Sequence, residues 1–249
     1  MQNIANTVTS ALTWAQAQGL ERIDAQWLLL HVLGQPDAGR AWLIAHGGDT
    51  LTGTLYEHFS ALCARRAADE PVAYLTGQKG FYGLNLQVDA RVLDPRPDTE
   101  TLVDWALECL TGHTAPRGLD LGTGSGAIAL AIATERTGCR VWGTDRSADA
   151  LAVARANLAG LGMAGSGVQL VEGSWFGALP GDLRDGLAEG STTRTVVPVA
   201  LAAGHEVRGV VQDALIDDPA RLRGVHERHD RDARCARARP IIDIPIHHH

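Results

Sequence analysis

Asp120 precedes a run of alternating glycines at 122, 124 and 126, with Thr123 and Ser125 between them. A second acid, Asp145, stands 19 positions beyond the last glycine. Residues of these types at this spacing hold a ligand rather than break bonds. Glycines remove side chains where a ligand must reach the main chain, and a strand–turn–helix passage brings backbone N–H groups to the carboxyl edge of a sheet. A carboxylate ending the next strand can accept hydrogen bonds from both hydroxyls of a ribose. The bland alternative is a glycine turn that only packs a strand against a helix. The strand before it, the helix after it and the acid on the next strand together favour a nucleotide-like cofactor.

Two cofactor classes fit the glycines. Gly122, Gly124 and Ala127 satisfy the dinucleotide pattern G-x-G-x-x-G/A, so a nicotinamide-dependent oxidoreductase is a rival reading. Asp120 weighs against it. An acid two residues before the first glycine would repel a pyrophosphate, whereas it can pair with the amino group of a methionine moiety. That favours S-adenosylmethionine.

The elements that must position these residues follow from hydrophobic periodicity. Ile4, Val8, Ala11, Leu12 and Ala15 recur at helical spacing, as do Ala25, Leu28, Leu29 and Val32 after Asp24, a candidate N-cap. A third helix around Leu55 to Ala67 ends on Arg65-Arg66, which suits a helix C-terminus. Residues 1–70 therefore read as a helical domain. Over residues 71–97 the period shortens to two. Phe81 to Val88 alternates, Arg91-Val92-Leu93 follows, and the pair reads as a β-hairpin linker. Beyond it strand and helix alternate: a helix from Thr99 to Cys109, strand 118–121, a helix from Gly124, strand 140–144, a helix from Ser147 to Leu158, and strand 168–171. The expectation is an α/β fold, a parallel sheet with helices on both faces, its cofactor-binding part spanning 98–181.

The 249 residues suit a small domain plus a medium one, and 45% hydrophobic residues is ordinary for a globular chain. A net charge of -7 argues against direct binding to a nucleic-acid backbone. No apolar run is long enough for a bilayer and no signal peptide opens the chain, so the expected location is the cytoplasm, with no membrane partner. The four cysteines form no C-x-x-C pair, and no metal site is expected.

Several segments in order resemble the peptide-chain release factor N5-glutamine methyltransferases. They are Glu70-Pro71-Val72-Ala73-Tyr74-Leu75-Thr76-Gly77, Phe81-Tyr82-Gly83-Leu84, Val92 to Glu100, the loop 119–126, Gly143-Thr144-Asp145 and Gly173-Ser174-Trp175-Phe176. The resemblance covers residues 1 to about 181. It implies a Rossmann-like class I S-adenosylmethionine-dependent methyltransferase with a small N-terminal helical domain that recognises the release factor. The implied reaction is methyl transfer to a glutamine side-chain nitrogen. Gly122, Thr123, Gly124, Ser125 and Gly126, with Asp120, would line the cofactor. Asp145 would hold the ribose and Trp175 would pack near the adenine, a core tryptophan being the alternative. Arg96, Asp98, Thr99 and Glu100 would border the cofactor or substrate mouth, although Asp98 or Thr99 could equally cap the following helix.

The resemblance stops at residues 182–249. The family places Asn-Pro-Pro-Tyr after its fourth strand, where an asparagine side chain and a proline carbonyl accept the two N–H bonds of the substrate amide and aim its nitrogen. Here Asn157 is the last asparagine, and no Phe, Tyr or Trp follows Phe176. Catalytic residues are therefore not assigned. Val196-Val197 and Val210-Val211 are candidate short strands, and the C-terminal part of the sheet is expected to be incomplete. The tail reads as disordered or out of frame. The His226/His229 cluster reads as part of a solvated, charged tail rather than a metal site, and His247–His249 carry no assigned function. A remnant that binds the cofactor without methylating glutamine is the second alternative to the methyltransferase reading.

Overall fold

The structure is a computed structural model that describes residues 6–179 and the backbone of 196–200. Expectations for the rest of the tail, the His226/His229 cluster and Val210-Val211 among them, lie outside the described residues. The chain divides into two compact units.

The first unit comprises the chain up to Lys79 together with Val88–Ala90. Its helices are α1 (Val8–Ala17), α2 (Arg22–Val32), α3 (Gly39–Ala45), α4 (Gly53–Ala67) and α5 (Val72–Thr76). Thr7 starts α1 through a reciprocal capping box with Ser10, which satisfies two otherwise unpaired N–H groups. Apolar residues three and four apart bring Val8, Ala11 and Ala15 of α1, Leu28 and Leu29 of α2, and Phe59 and Leu62 of α4 into one core. Asp24 is not the cap expected from the sequence. Glu21 occupies that place, and Asp24 sits in the first turn of α2, where it binds Arg66 of the last turn of α4 at 2.6 Å. Each charge thus stands at the helix end whose dipole it complements. The short helices α3 and α5 were not anticipated. α5 begins after Pro71 and stops at Gly77, whose φ of 71° no helix interior uses.

The second unit comprises Gly80–Gln87 and the chain from Arg91 onward. The hairpin pairs β1 (Gln78–Phe81) with β2 (Leu84–Gln87). The alternating run from Phe81 is therefore not one strand facing Arg91–Leu93, as its period suggested. It folds back at Tyr82-Gly83, which take φ of 48° and 75°, and 91–93 is irregular. Positive φ at both central residues is the signature of a two-residue hairpin turn whose twist matches that of its strands.

After α6 (Glu100–Cys109) come β3 (Arg117–Leu121), α7 (Ala127–Glu135), β4 (Arg140–Asp145), α8 (Ala148–Leu161), β5 (Val168–Glu172) and β6 (Val196–Ala200). The strands form a parallel sheet in the order β5-β4-β3-β6. Residues 127–133 of α7 are all buried, so this helix is packed on every side, and its alternation of alanine with Ile and Leu permits that. α7 starts three residues later than expected because Gly124 and Gly126 hold φ of 55° and 83°. β6 pairs with β3, Leu121 opposite Ala200. Chain order therefore reverses beside the glycine loop, the place where open α/β sheets bind ligands. Pro198 lies on this strand at the edge of the described sheet, where a missing N–H is tolerated. Among the described residues no helix is long and apolar enough to cross a membrane.

Candidate cofactor site

The glycine loop is held by its own neighbours. Gly122 and Thr123 donate their N–H groups to the Thr144 carbonyl at 2.8 and 2.9 Å, and Gly126 donates to Thr123 at 2.8 Å. Gly124 donates to Asp145 Oδ2 at 3.0 Å. These donors, expected to cradle a ligand, are instead spent inside the protein. The start of α7 is likewise taken. Gly126 has no side chain to cap the helix, and Asp120 Oδ2 accepts the Ala129 N–H at 3.2 Å in its place. A carboxylate already seated at a helix N-terminus leaves no welcome for a pyrophosphate.

Asp120 is 1% exposed at the end of β3. Its Oδ2 also accepts the Thr123 hydroxyl at 2.6 Å. Its Oδ1 is buried without a partner among the described residues. Burial pushes this carboxyl up to about 6 against the pull of the Thr123 and Ala129 bonds, and the charge of Asp145 adds to the rise. A cap alone would be served by a neutral asparagine. An ionisable group with one unmatched oxygen calls for a positive partner, because an uncompensated buried charge is costly.

Asp145 ends β4 half-buried. Besides Gly124, it accepts the Ser147 N–H on Oδ1 at 2.9 Å, so each oxygen keeps one lone pair. Gly124 is the open point of the loop, since a β-carbon there would meet nothing within 4 Å among the described residues. At Gly126 a β-carbon would come within 3.1 Å of Leu130 and 3.4 Å of Ala154. Gly126 is thus a packing glycine. Ser125 is 3% exposed and Thr123 6%.

Two residues of this site were missed by sequence reasoning. Gly143 in β4 lies against Thr123, and a β-carbon there would stand 2.9 Å from the Thr123 hydroxyl and from Leu170 Cδ2. Asn157 in α8 accepts the Gln87 N–H at 2.7 Å and donates to the carbonyls of Gln87 at 3.0 Å and Ser125 at 2.9 Å. Its signal was available. It falls on the buried stripe of Ala150, Val153 and Ala154 yet is polar, and a buried polar side chain must find partners.

Within segment 96–100 the structure shows one tertiary hydrogen bond among the described residues, made by Glu100. Glu100 accepts the Tyr82 N–H at 2.9 Å and so tethers the hairpin turn, assisted by a 2.6 Å bond from the Tyr82 hydroxyl to Asp104. Arg96 and Asp98 are exposed. Neither Asp98 nor Thr99 caps α6 with its side chain; a short 3-10 turn, Pro97–Thr99, leads into it. Trp175 opens another such turn, Trp175–Ala178, after β5; its side chain lies outside the described residues. No cluster of three or more His, Cys, Asp or Glu able to hold a metal occurs among the described residues.

Residues 7–77 match the PrmC N-terminal domain family, and residues 113–186 a methyltransferase domain family. Proteins named release factor glutamine methyltransferase are similar over much of the chain. That of Xylella fastidiosa (strain 9a5c) is 47% identical over 175 residues, 70% of this chain and 62% of the relative. That of Bordetella pertussis is 42% identical over 200 residues, 80% and 72% of the two chains. That of Escherichia coli (strain K12) is 42% identical over 171 residues, 69% and 60%. The chain thus spans about three fifths of the length of the X. fastidiosa and E. coli relatives. Its helical unit, parallel sheet and sequence agree: the chain belongs to the release factor glutamine methyltransferase family, with a Rossmann-like methyltransferase fold.

Proposed function

We propose that this chain binds S-adenosylmethionine at the 120–126 loop and transfers its methyl group to the side-chain amide nitrogen of a glutamine in a peptide chain release factor. The observation that carries the cofactor assignment is the unpartnered Oδ1 of buried Asp120, which suits the ammonium of the methionine moiety. The spent N–H donors of 122–124 and the carboxylate at the α7 N-terminus disfavour a dinucleotide. Asp145 offers its remaining lone pairs to the ribose hydroxyls, and the open face of Gly124 admits the ligand to the main chain. Trp175 is assigned to the adenine by family resemblance alone. When bound, the cofactor supplies an electrophilic methyl group on a sulfonium. The residues named here would hold and orient it, and the amide nitrogen that accepts the methyl group would release one proton to solvent.

The substrate and partner assignment rests on the names of the relatives, and the helical segment 1–70 is the proposed release-factor recognition element. The test is incubation of the full chain with a release factor and methyl-labelled S-adenosylmethionine. Label on a single glutamine, located by mass spectrometry, supports the reading. Cofactor binding with no label on glutamine would remove the substrate assignment and leave the cofactor-binding remnant.

A further inference from the structure

Ser125 sits between two glycines in left-handed conformations, Gly124 and Gly126. Glycine flanks impose little on the chain, so the peptide following Ser125 is oriented by its bonds: its N–H is held by the Thr123 carbonyl at 2.8 Å, and its carbonyl needs a donor. It meets the Asn157 amide, reaching over from α8. The same amide clasps Gln87, the last residue of β2, by both its N–H and its carbonyl. With 5% exposure, Asn157 has no water to fall back on if a partner is lost. One rigid planar group therefore ties the cofactor loop to the end of the hairpin. The other end of the hairpin is anchored separately, by Tyr82 to Glu100 and Asp104.

We propose that Asn157 is a positioning residue: it orients the Ser125 peptide for cofactor binding and couples the occupied state of the loop to the hairpin at Gln87. The proposal rests on the assignment of S-adenosylmethionine to this loop. A cofactor that steadies the loop steadies the Asn157 amide, and with it Gln87. By reciprocity, loosening Gln87 weakens the cofactor.

The experiment is calorimetric titration of the full chain with S-adenosylmethionine, paired with hydrogen exchange at the Gln87 amide with and without it. In the unsubstituted chain the cofactor slows Gln87 exchange. Asn157→Ala, which orphans the Ser125 and Gln87 carbonyls, weakens binding roughly tenfold, and the cofactor no longer alters Gln87 exchange. Asn157→Asp has the same shape but sets a carboxylate oxygen against both carbonyls, and it carries the same test should the alanine variant not fold. Tyr82→Phe removes the Asp104 half of the other anchor and keeps the backbone bond to Glu100. It lowers the melting temperature while binding stays within about twofold, since it leaves the loop's own bonds in place. If both Asn157 variants lose thermal stability but keep the affinity and the cofactor-dependent exchange of the unsubstituted chain, Asn157 is only a core polar residue and the proposal is overturned. No binding to the unsubstituted chain would instead overturn the cofactor assignment.

Discussion

Asp120 and Asp145 grip consecutive residues of one loop: Asp120 accepts the Thr123 hydroxyl at 2.6 Å, and Asp145 accepts the Gly124 N–H at 3.0 Å. The two acids differ in what they have left to offer. Asp145 is half-buried with both oxygens engaged by backbone, whereas Asp120 is enclosed and has one oxygen unmatched. That asymmetry separates an acid that can accept further hydrogen bonds from neutral hydroxyls from one that, on the proposed function, pairs with a charged group, and it yields measurable consequences.

The ligand-free protein bears a stability cost for Asp120. Burial raises its folded pKa from 3.8 to about 6, so the protonated form is favoured in the fold. The resulting stabilisation is complete below the unfolded pKa and is lost as pH rises through about 6. A rise of that size corresponds to about 3 kcal/mol, as an order of magnitude. Asp120→Asn has no such titration. The stability of the unsubstituted chain relative to this variant should therefore fall between pH 4 and pH 7, as read by denaturant unfolding at each pH. A constant difference across that range would contradict the burial argument.

Cofactor affinity should move in the opposite sense. The ionised carboxylate pairs with an ammonium, so binding is strongest above about pH 6 and weakens below it. From pH 7.5 to pH 5 the dissociation constant should rise about tenfold, and the Asp120→Asn variant should lose this dependence. Titrations in buffers of matched ionic strength measure it.

Two glycines in the loop should respond differently to alanine. Gly126→Ala incurs left-handed strain and a crowded contact with Leu130, and should cost about 2 kcal/mol of stability. Gly124→Ala incurs strain alone, about 1 kcal/mol, because its β-carbon meets none of the described residues within 4 Å. On the proposed function the cofactor takes that space, so Gly124→Ala should weaken cofactor binding well beyond its effect on folding. Chemical denaturation and titration of both variants separate the two effects.

Much of this architecture was legible in the sequence because the signals are local. The strands around Leu119, Val141 and Val168 and the helix from Ser147 each carry their own period and punctuation, and the Asp120–Gly126 and Asp145 elements lie at strand ends that the pattern marks. The hairpin register was not legible. Phe81 to Val88 has the period of a single strand, and only two carboxylates from α6 reveal why Tyr82 can adopt a left-handed turn. Asn157 and Gly143 were missed because their roles depend on neighbours 70 and 20 residues away in the chain. The donors of 122–124 were misread because a glycine-rich pattern does not say whether its N–H groups face a ligand or a carbonyl of the next strand.

Glu100 illustrates the same point and can be tested. Glu100→Ala removes the acceptor for the Tyr82 N–H and should lower stability by about 1 kcal/mol. Glu100→Gln retains an acceptor and should cost less. If Glu100 serves the hairpin rather than the cofactor, neither variant changes cofactor affinity by more than about twofold. A larger loss in titration would restore Glu100 to the site.

On the proposed function, the enclosed Asp120 carboxylate pairs with the ammonium of a cationic, methionine-bearing cofactor. The most direct measurement is calorimetric titration of the full chain, unsubstituted and as Asp120→Asn, with S-adenosylmethionine and separately with NADH. The expected result is saturable binding of S-adenosylmethionine, at least about tenfold weaker in the variant, and no binding of NADH. Binding of NADH, or S-adenosylmethionine binding that is indifferent to Asp120, would contradict it.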